Sequence, residues 1–419
     1  MERFDRLYTL YDEFDTETLR AYQDFVDLFP PVDSRVALEY WESASDELVE
    51  RKDDVRAAFP EGETFAGLAA RATREQAFAA LDLQAKYGCA VNVLVLDVDE
   101  TLRSAGHTDN EIPRETLHLL TEFHEAGVPI VICTGQTLEN VKGFLIQGLG
   151  NELVHSGSVS VVYEAGTGVF TPGHGPDTKQ LLYEDLDQDV RGVFDDLRAR
   201  ILSDAPEGIR QGCHLQGNEF NVTLKPNFET GSDRARELID DALRYELDLL
   251  ADCVEGATRP HVRAFYATAD PEIAGVLADA GELPDAVADE GAASGDSADA
   301  LAFIPEDVRG VLERVDVAYY EADAAEIASR ELNKVVGVQG AFDVLGVDDP
   351  FALVMGDSKS DLRVMEWVAD EDAGIAAAPE HASGRVLEHV RETDDLVFDE
   401  GAADEVLRTA WALNRLAEQ

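Results

Sequence analysis

An α/β fold built on a doubly wound, mostly parallel sheet is what this sequence predicts, on two observations. Three short apolar runs, at 91–96, 128–133 and 351–355, are separated by stretches with helical spacing, and each run leads directly into a cluster of small, polar and acidic residues. Continuous apolar runs, without polar alternation, are what strands covered on both faces require. Two further parts frame this core: an N-terminal helical extension over 1–88 and a long insert over 157–326, leaving 89–156 and 327–419 as the sheet-bearing domain.

The extension is read from its start signals and periodicity. Asp15 and Thr16 can cap a helix carrying Leu19, Tyr22, Phe25 and Val26, and Phe29-Pro30-Pro31 stops it. Apolar residues at helical spacing recur over 36–59 and 65–83, and Gly88 closes the last helix. Nothing catalytic is encoded here, so the expected role is packing or homo-oligomer contact.

The core strands are Val91-Asn92-Val93-Leu94-Val95-Leu96, Val128-Pro129-Ile130-Val131-Ile132-Cys133 and Phe351-Ala352-Leu353-Val354-Met355, with a helix over 114–127 between the first two. The insert has a different texture. Partial alternation over 214–224 and 261–267 predicts a half-exposed antiparallel sheet, and the Ala, Gly, Asp and Ser-rich stretch 281–299 predicts a mobile loop.

Composition narrows the function classes. The 86 acidic against 34 basic residues give a net charge of −52, while 45% hydrophobic content and recurrent apolar runs argue for a folded chain. Such a surface repels nucleic acid phosphates and anionic membranes, so neither is an expected partner. The acid-rich, lysine-poor balance resembles proteins of salt-accumulating halophiles. Cys89, Cys133, Cys213 and Cys253 are scattered, which indicates neither a zinc site nor a disulfide framework. A signal peptide and a membrane span both lack an apolar stretch to build them, and the expected location is cytoplasmic.

The chemistry lies where the three runs end. They lead into Asp97-Val98-Asp99-Glu100-Thr101, Thr134-Gly135-Gln136 and Gly356-Asp357-Ser358-Lys359-Ser360-Asp361. Ligands of open α/β sheets bind beyond the carboxyl ends of the strands, so these clusters should share one crevice. Asp97, Asp99, Asp357 and Asp361 gathered there would raise one another's pKa unless a cation were bound, and oxygen donors alone point to magnesium. One carboxylate could then attack phosphorus and a second could move the proton, with Thr134 and the Gly135 amide holding phosphate oxygens. The Thr101 hydroxyl is read as a tie to its own loop backbone. His107, His118, His124, His155, His214 and His261 follow no metal-ligand spacing; Lys225, Arg259, His261 and Arg263 in the insert could meet an anionic substrate, though a solvated face is the preferred reading for any single one of them.

Together, D-x-D-x-T after a buried strand, a strand-end Thr, a downstream Lys and G-D-x-x-x-D resemble the four motifs of the haloacid-dehalogenase superfamily of phosphatases, with their Rossmann-like core. An insert after the Thr motif is similar to the subclass with a large α/β cap, which contains Cof-type and sucrose-phosphate-type phosphatases. The resemblance implies Asp97 as nucleophile, Asp99 as acid and base, Thr134, Gly135 and Lys334 as phosphate ligands, and magnesium held by Asp97, the Asp99 carbonyl and Asp357, with Asp361 in support. Lys334 is preferred over Lys359 because it follows a strand and Glu326-Ile327, as the family lysine does; Val335 stands where that family has Gly, and Glu164-Ala165-Gly166 where it has Asn-Gly. The implied function is hydrolysis of a small phosphate ester such as a sugar phosphate. A phosphomutase uses the same intermediate and stays open beside it, as does a non-catalytic phosphometabolite-binding protein.

Overall fold

The computed structural model describes residues 2–29, 31, 34–103, 111–175, 179–218, 220–228, 230–288 and 301–418. The chain forms two compact units, Met1–Gln180 with Gly337–Gln419, and Leu181–Val336.

The first unit is centred on a sheet in which β1 (Val93–Leu96) lies between β2 (Ile130–Cys133) and β10 (Ala352–Met355). All three are fully buried four-residue apolar strands, and both pairings are parallel: Leu94 stands opposite Ile130, and Val93 opposite Ala352. The sheet continues through β3 (Val159–Tyr163) and β4 (Gly168–Phe170) on one side, and through β11 (Gly374–Pro379) and β12 (Leu396–Phe398) on the other. The expected insert boundary at 157 is therefore corrected. Because β3 pairs with β2 in parallel register, 157–180 extend the first sheet, and the second unit begins at Leu181.

The N-terminal helices are α1 (Glu2–Glu13), α2 (Thr16–Leu28), α3 (Arg35–Ala58), α4 (Gly62–Arg71) and α5 (Arg74–Tyr87). Asp15 caps α2 by accepting from the Thr18 amide, and Gly88 closes α5 with a left-handed φ of 70° that a residue without Cβ adopts at little cost. They do not form a separate body. Leu68, Ala77, Ala80 and Leu81 join one hydrophobic core with Leu119 and Leu120 of α6 (Arg114–Glu125) and with Leu407, Trp411 and Leu413 near the C-terminus. Fully burying such a leucine stabilises by roughly 1.5–3 kcal/mol. Among the described residues no helix is long and apolar enough to cross a membrane.

The second unit holds a four-stranded antiparallel sheet ordered β6-β7-β9-β8, from β6 (Cys213–Gln216), β7 (Asn221–Pro226), β8 (Val315–Tyr320) and β9 (Ala324–Ser329). β6 and β7 are the alternating segment expected at 214–224. The second alternating segment, 261–267, is instead part of the helix Arg259–Ala269: Thr258 precedes it, Pro260 sits in its first turn, and Val262, Phe265 and Tyr266 are buried at helical spacing. Because β9 pairs with β7 and β8, 327–336 stay in this unit, so its end also moves from 326 to 336. Of the expected loop at 281–299, Asp285–Ala288 is a short helix and 289–299 lie outside the described residues.

Candidate active site

Parallel pairing brings the carboxyl ends of β10, β1 and β2 side by side. The Asp97 amide donates to the Met355 carbonyl at 2.9 Å, and the Thr134 amide to the Val162 carbonyl at 2.9 Å, so the strand ladder runs up to the first polar residue. Asp97 is buried, with 6% of its surface exposed. One carboxylate oxygen from each of Asp97, Asp357 and Asp361 lies within 4.8 Å of the others.

Asp361 reaches this position by capping the helix Lys359–Asp370. It accepts from the Ser358 amide at 3.1 Å and from the Ser358 hydroxyl at 2.6 Å, closing a capping box. Thr101 departs from the expectation of a backbone tie: its hydroxyl lies 3.5 Å from Asp357 Oδ1.

Beside Asp97, Asp99 is clasped from two directions. Arg103 donates to Oδ1 through Nε at 3.1 Å and Nη2 at 2.7 Å, and the Gln136 side-chain amide donates to Oδ2 at 2.6 Å. Between them Glu100 adopts a φ of 60°, uncommon for a residue with a side chain, while its carbonyl lies 3.0 Å from His381 Nε2.

Thr134 is fully buried, and its hydroxyl accepts from the Gln136 amide at 3.1 Å. The turn beyond β3 backs this loop. Glu164 and Ala165 donate their amides to the Gln136 and Thr134 carbonyls at 2.9 and 3.0 Å, with φ of 50° and 56°. Space beside Gly135 is open, since nothing lies within 4 Å of where its Cβ would be. Lys334 falls in the second unit, where it opens the helix Lys334–Leu345 and is buried.

The donor set fits a hard divalent cation. Three carboxylates packed this closely, two of them buried, repel one another when ionised, and oxygen donors without sulfur or imidazole match magnesium.

Elsewhere in the first unit the structure gathers residues that the sequence reading left unconnected. His118 and Glu122, four apart on α6, face Asp27 of α2, with ligand atoms also within 4.8 Å. His118 Nε2 lies 3.3 Å from Asp27, and Arg71 pairs with both Asp27 and Glu122. The Asp27 carboxylate beside it raises the His118 pKa against the effect of burial. The i,i+4 spacing of His118 and Glu122 was a signal for this; the arrival of Asp27 from a distant helix was not. His107 lies outside the described residues. In the second unit, Arg259 and Arg263 pair with Asp248 at 3.2 and 2.8 Å, and Lys225 with Asp323 at 3.3 Å, so these cations are engaged within their own unit.

Residues 94–159 match the model of a family described as haloacid dehalogenase-like hydrolase, and this stretch contains Asp97, Asp99 and Thr134. A search of curated protein sequences returns no match. Among solved structures, a trehalose-6-phosphate phosphatase from Aspergillus fumigatus is 16% identical, with 80% of this chain and 97% of that one covered at a TM-score of 0.40. A sucrose-phosphatase from Synechocystis is 13% identical, covering 78% and 99% at 0.42, and a Thermoplasma acidophilum protein is 12% identical, covering 78% and 100% at 0.42.

Proposed function

We propose that this chain, haloacid dehalogenase-like over residues 94–159, is a magnesium-dependent phosphatase that hydrolyses a small phosphate ester through an aspartyl-phosphate on Asp97. The observation that carries this reading is the convergence of Asp97, Asp357 and Asp361 at the ends of two adjacent parallel strands, with Asp99 held two residues from the nucleophile.

In this reading Asp97 Oδ attacks phosphorus as the bond to the leaving oxygen breaks, and Asp99 gives its proton to that oxygen. Asp99 then takes a proton from a water that attacks phosphorus, and Asp97 departs as carboxylate. The Thr134 hydroxyl and the Gly135 amide would hold the phosphate oxygens. Asp97, Asp357 and Asp361 would hold magnesium, which when bound neutralises the phosphate and the clustered carboxylates. Phosphorylated sugars are the substrate class implied by the motif resemblance.

The test combines a panel of sugar phosphates with variants of the two carboxylates. Wild-type enzyme should turn over only with magnesium and lose activity in chelator. Asp97→Asn should form no phosphoenzyme, whereas Asp99→Asn should accumulate one from an ester with a good leaving group. Full turnover by Asp97→Asn, with deamidation excluded by mass spectrometry, would replace the aspartyl-phosphate with direct attack by water.

A further inference from the structure

We infer that Arg103 and Gln136 are positioning residues that hold the Asp99 carboxylate from both sides and select Oδ2 as the oxygen that exchanges the proton. This rests on the reading of Asp99 as acid and base.

Asp99 needs such support because its side chain is 43% exposed on a loop. A carboxylate in that setting samples several rotamers, while proton transfer requires hydrogen-bond reach to the leaving oxygen. A misplacement of about 1 Å can cost on the order of 100-fold in rate.

The two supports differ in what they leave available. A carboxylate oxygen has two lone-pair directions. Arg103 places two N–H groups on Oδ1, which fills that oxygen, whereas among the described residues only Gln136 places an N–H on Oδ2, leaving its second direction for a proton. Arg103 does not bridge the two oxygens in the usual fork, and this is why one of them keeps capacity.

Both supports are themselves fixed. The amides of Leu102 and Arg103 donate to the Val98 carbonyl at 3.1 and 3.2 Å, folding the chain back so that Arg103 meets Asp99, and the Arg103 side chain is only 11% exposed. Gln136 is held by its own amide on the Thr134 hydroxyl and by its carbonyl, which accepts from Glu164. The proton-carrying group is thus referenced to the nucleophile loop through Arg103 and to the phosphate-holding loop through Gln136.

During phosphorylation of Asp97, the proton on Oδ2 passes to the leaving oxygen as the P–O bond breaks. During hydrolysis Oδ2 takes a proton from the attacking water as the bond from Asp97 to phosphorus breaks. Protons and bonds balance over the cycle without any further reactant.

The experiment compares Arg103→Met and Gln136→Met with wild type on p-nitrophenyl phosphate, whose leaving group needs no proton, and on glucose 6-phosphate, whose alkoxide does. The phosphorylation burst with the aryl ester should stay within about threefold, phosphorylation by the alkyl ester should slow about 100-fold, and acid-stable phosphoenzyme should accumulate because the water step has lost its base. With glucose 6-phosphate, where both steps slow together, KM should move less than about twofold, which separates positioning from a general loss of fold. Equal losses in the phosphorylation rate on the two esters, or no loss on either, would overturn the inference. Arg103→Lys, which keeps the charge but not the paired N–H groups, covers failure of Arg103→Met to fold and should show the same ester-dependent loss in weaker form. Asp97→Asn run in parallel keeps the two readings apart: an inactive Asp97→Asn with equal losses rejects only the positioning role, while an active Asp97→Asn rejects the mechanism beneath it.

Discussion

A Cβ at Gly356 would stand 2.3 Å from the Cβ of Asp361, so the end of β10 and the first turn of the following helix meet across a gap that only hydrogen fills. This approach sets Asp361 beside Asp97 and Asp357. Gly356→Ala must push the helix start away, and the cost expected is about 1–3 kcal/mol from overpacking. Because the displaced residue carries one of the three clustered carboxylates, magnesium affinity should fall along with stability. Denaturant unfolding with and without magnesium checks both, and an unchanged midpoint would show that the approach is slack.

The seam between α2 and α6 should loosen as pH rises. His118 is raised by the Asp27 carboxylate at 3.3 Å, with Glu122 adding charge, against burial and Arg71. A raised imidazole contributes stability that is fully present below its unfolded value near 6.5 and is lost as pH climbs through the folded value. Burial would raise Asp27, but the nearby His118, the hydrogen bonds from Gln23 and the charge of Arg71 overcome it and lower the carboxyl, so that carboxylate stays charged across this window. The melting temperature of wild type should therefore decline as pH rises above about 6.5, and His118→Gln should flatten that decline. Parallel profiles for the two proteins would refute the assignment.

In the second unit Glu246 is fully buried, and neither of its oxygens has a hydrogen-bond partner among the described residues. Burial first, and repulsion from Glu326 second, push its carboxyl well above the usual range. It therefore folds as the neutral acid. Below an unfolded value near 4.3 this costs no proton uptake, and above it stability falls by about 1.4 kcal/mol per pH unit until the folded value is reached. Glu246→Leu should stabilise the protein at pH 7 by roughly 1–3 kcal/mol and remove that slope. Calorimetry at pH 5 and pH 7 checks this, and a destabilised Leu variant at pH 7 would mean that the acid has an unsuspected role.

A net charge of −52 makes the folded chain repel itself. The Debye length shortens from about 10 Å at 0.1 M salt to about 3 Å at 1 M, so potassium chloride should raise the melting temperature steadily over that range. A melting temperature indifferent to salt would mean that the local ion pairs already absorb the repulsion, and it would remove the basis for comparing this composition with that of halophiles.

The strand-end clusters were legible because each sits one residue past a run buried on both faces, a pattern with few other uses. Helix α2 was legible from Asp15 and the Pro30-Pro31 stop. The segment 261–267 misled because His261, Arg263 and the small Ala264 and Ala267 interrupt an apolar set that fits period two as well as 3.6 over so short a span. The insert boundary was misplaced because β3 and β4 are buried and apolar like the strands before them, and no composition change marks Leu181. Arg103 and Gln136 were invisible as partners of Asp99. Their roles depend on a turn at 98–103 and on a neighbouring strand end, neither of which a motif records.

Gln84 of α5 donates its amide to the Leu416 carbonyl at 2.8 Å, and Asn414 exchanges two hydrogen bonds with the backbone of Val91 across 323 residues of sequence. During synthesis at roughly 5–20 residues per second, that separation is a delay of about 16–65 seconds between the emergence of Val91 and that of its partner. Throughout that interval the apolar face of α5 has no C-terminal helix to cover it. On the ribosome β1 and β2 can pair long before β10 and this outer layer arrive, which leaves the nascent N-terminal helices exposed to non-native contacts.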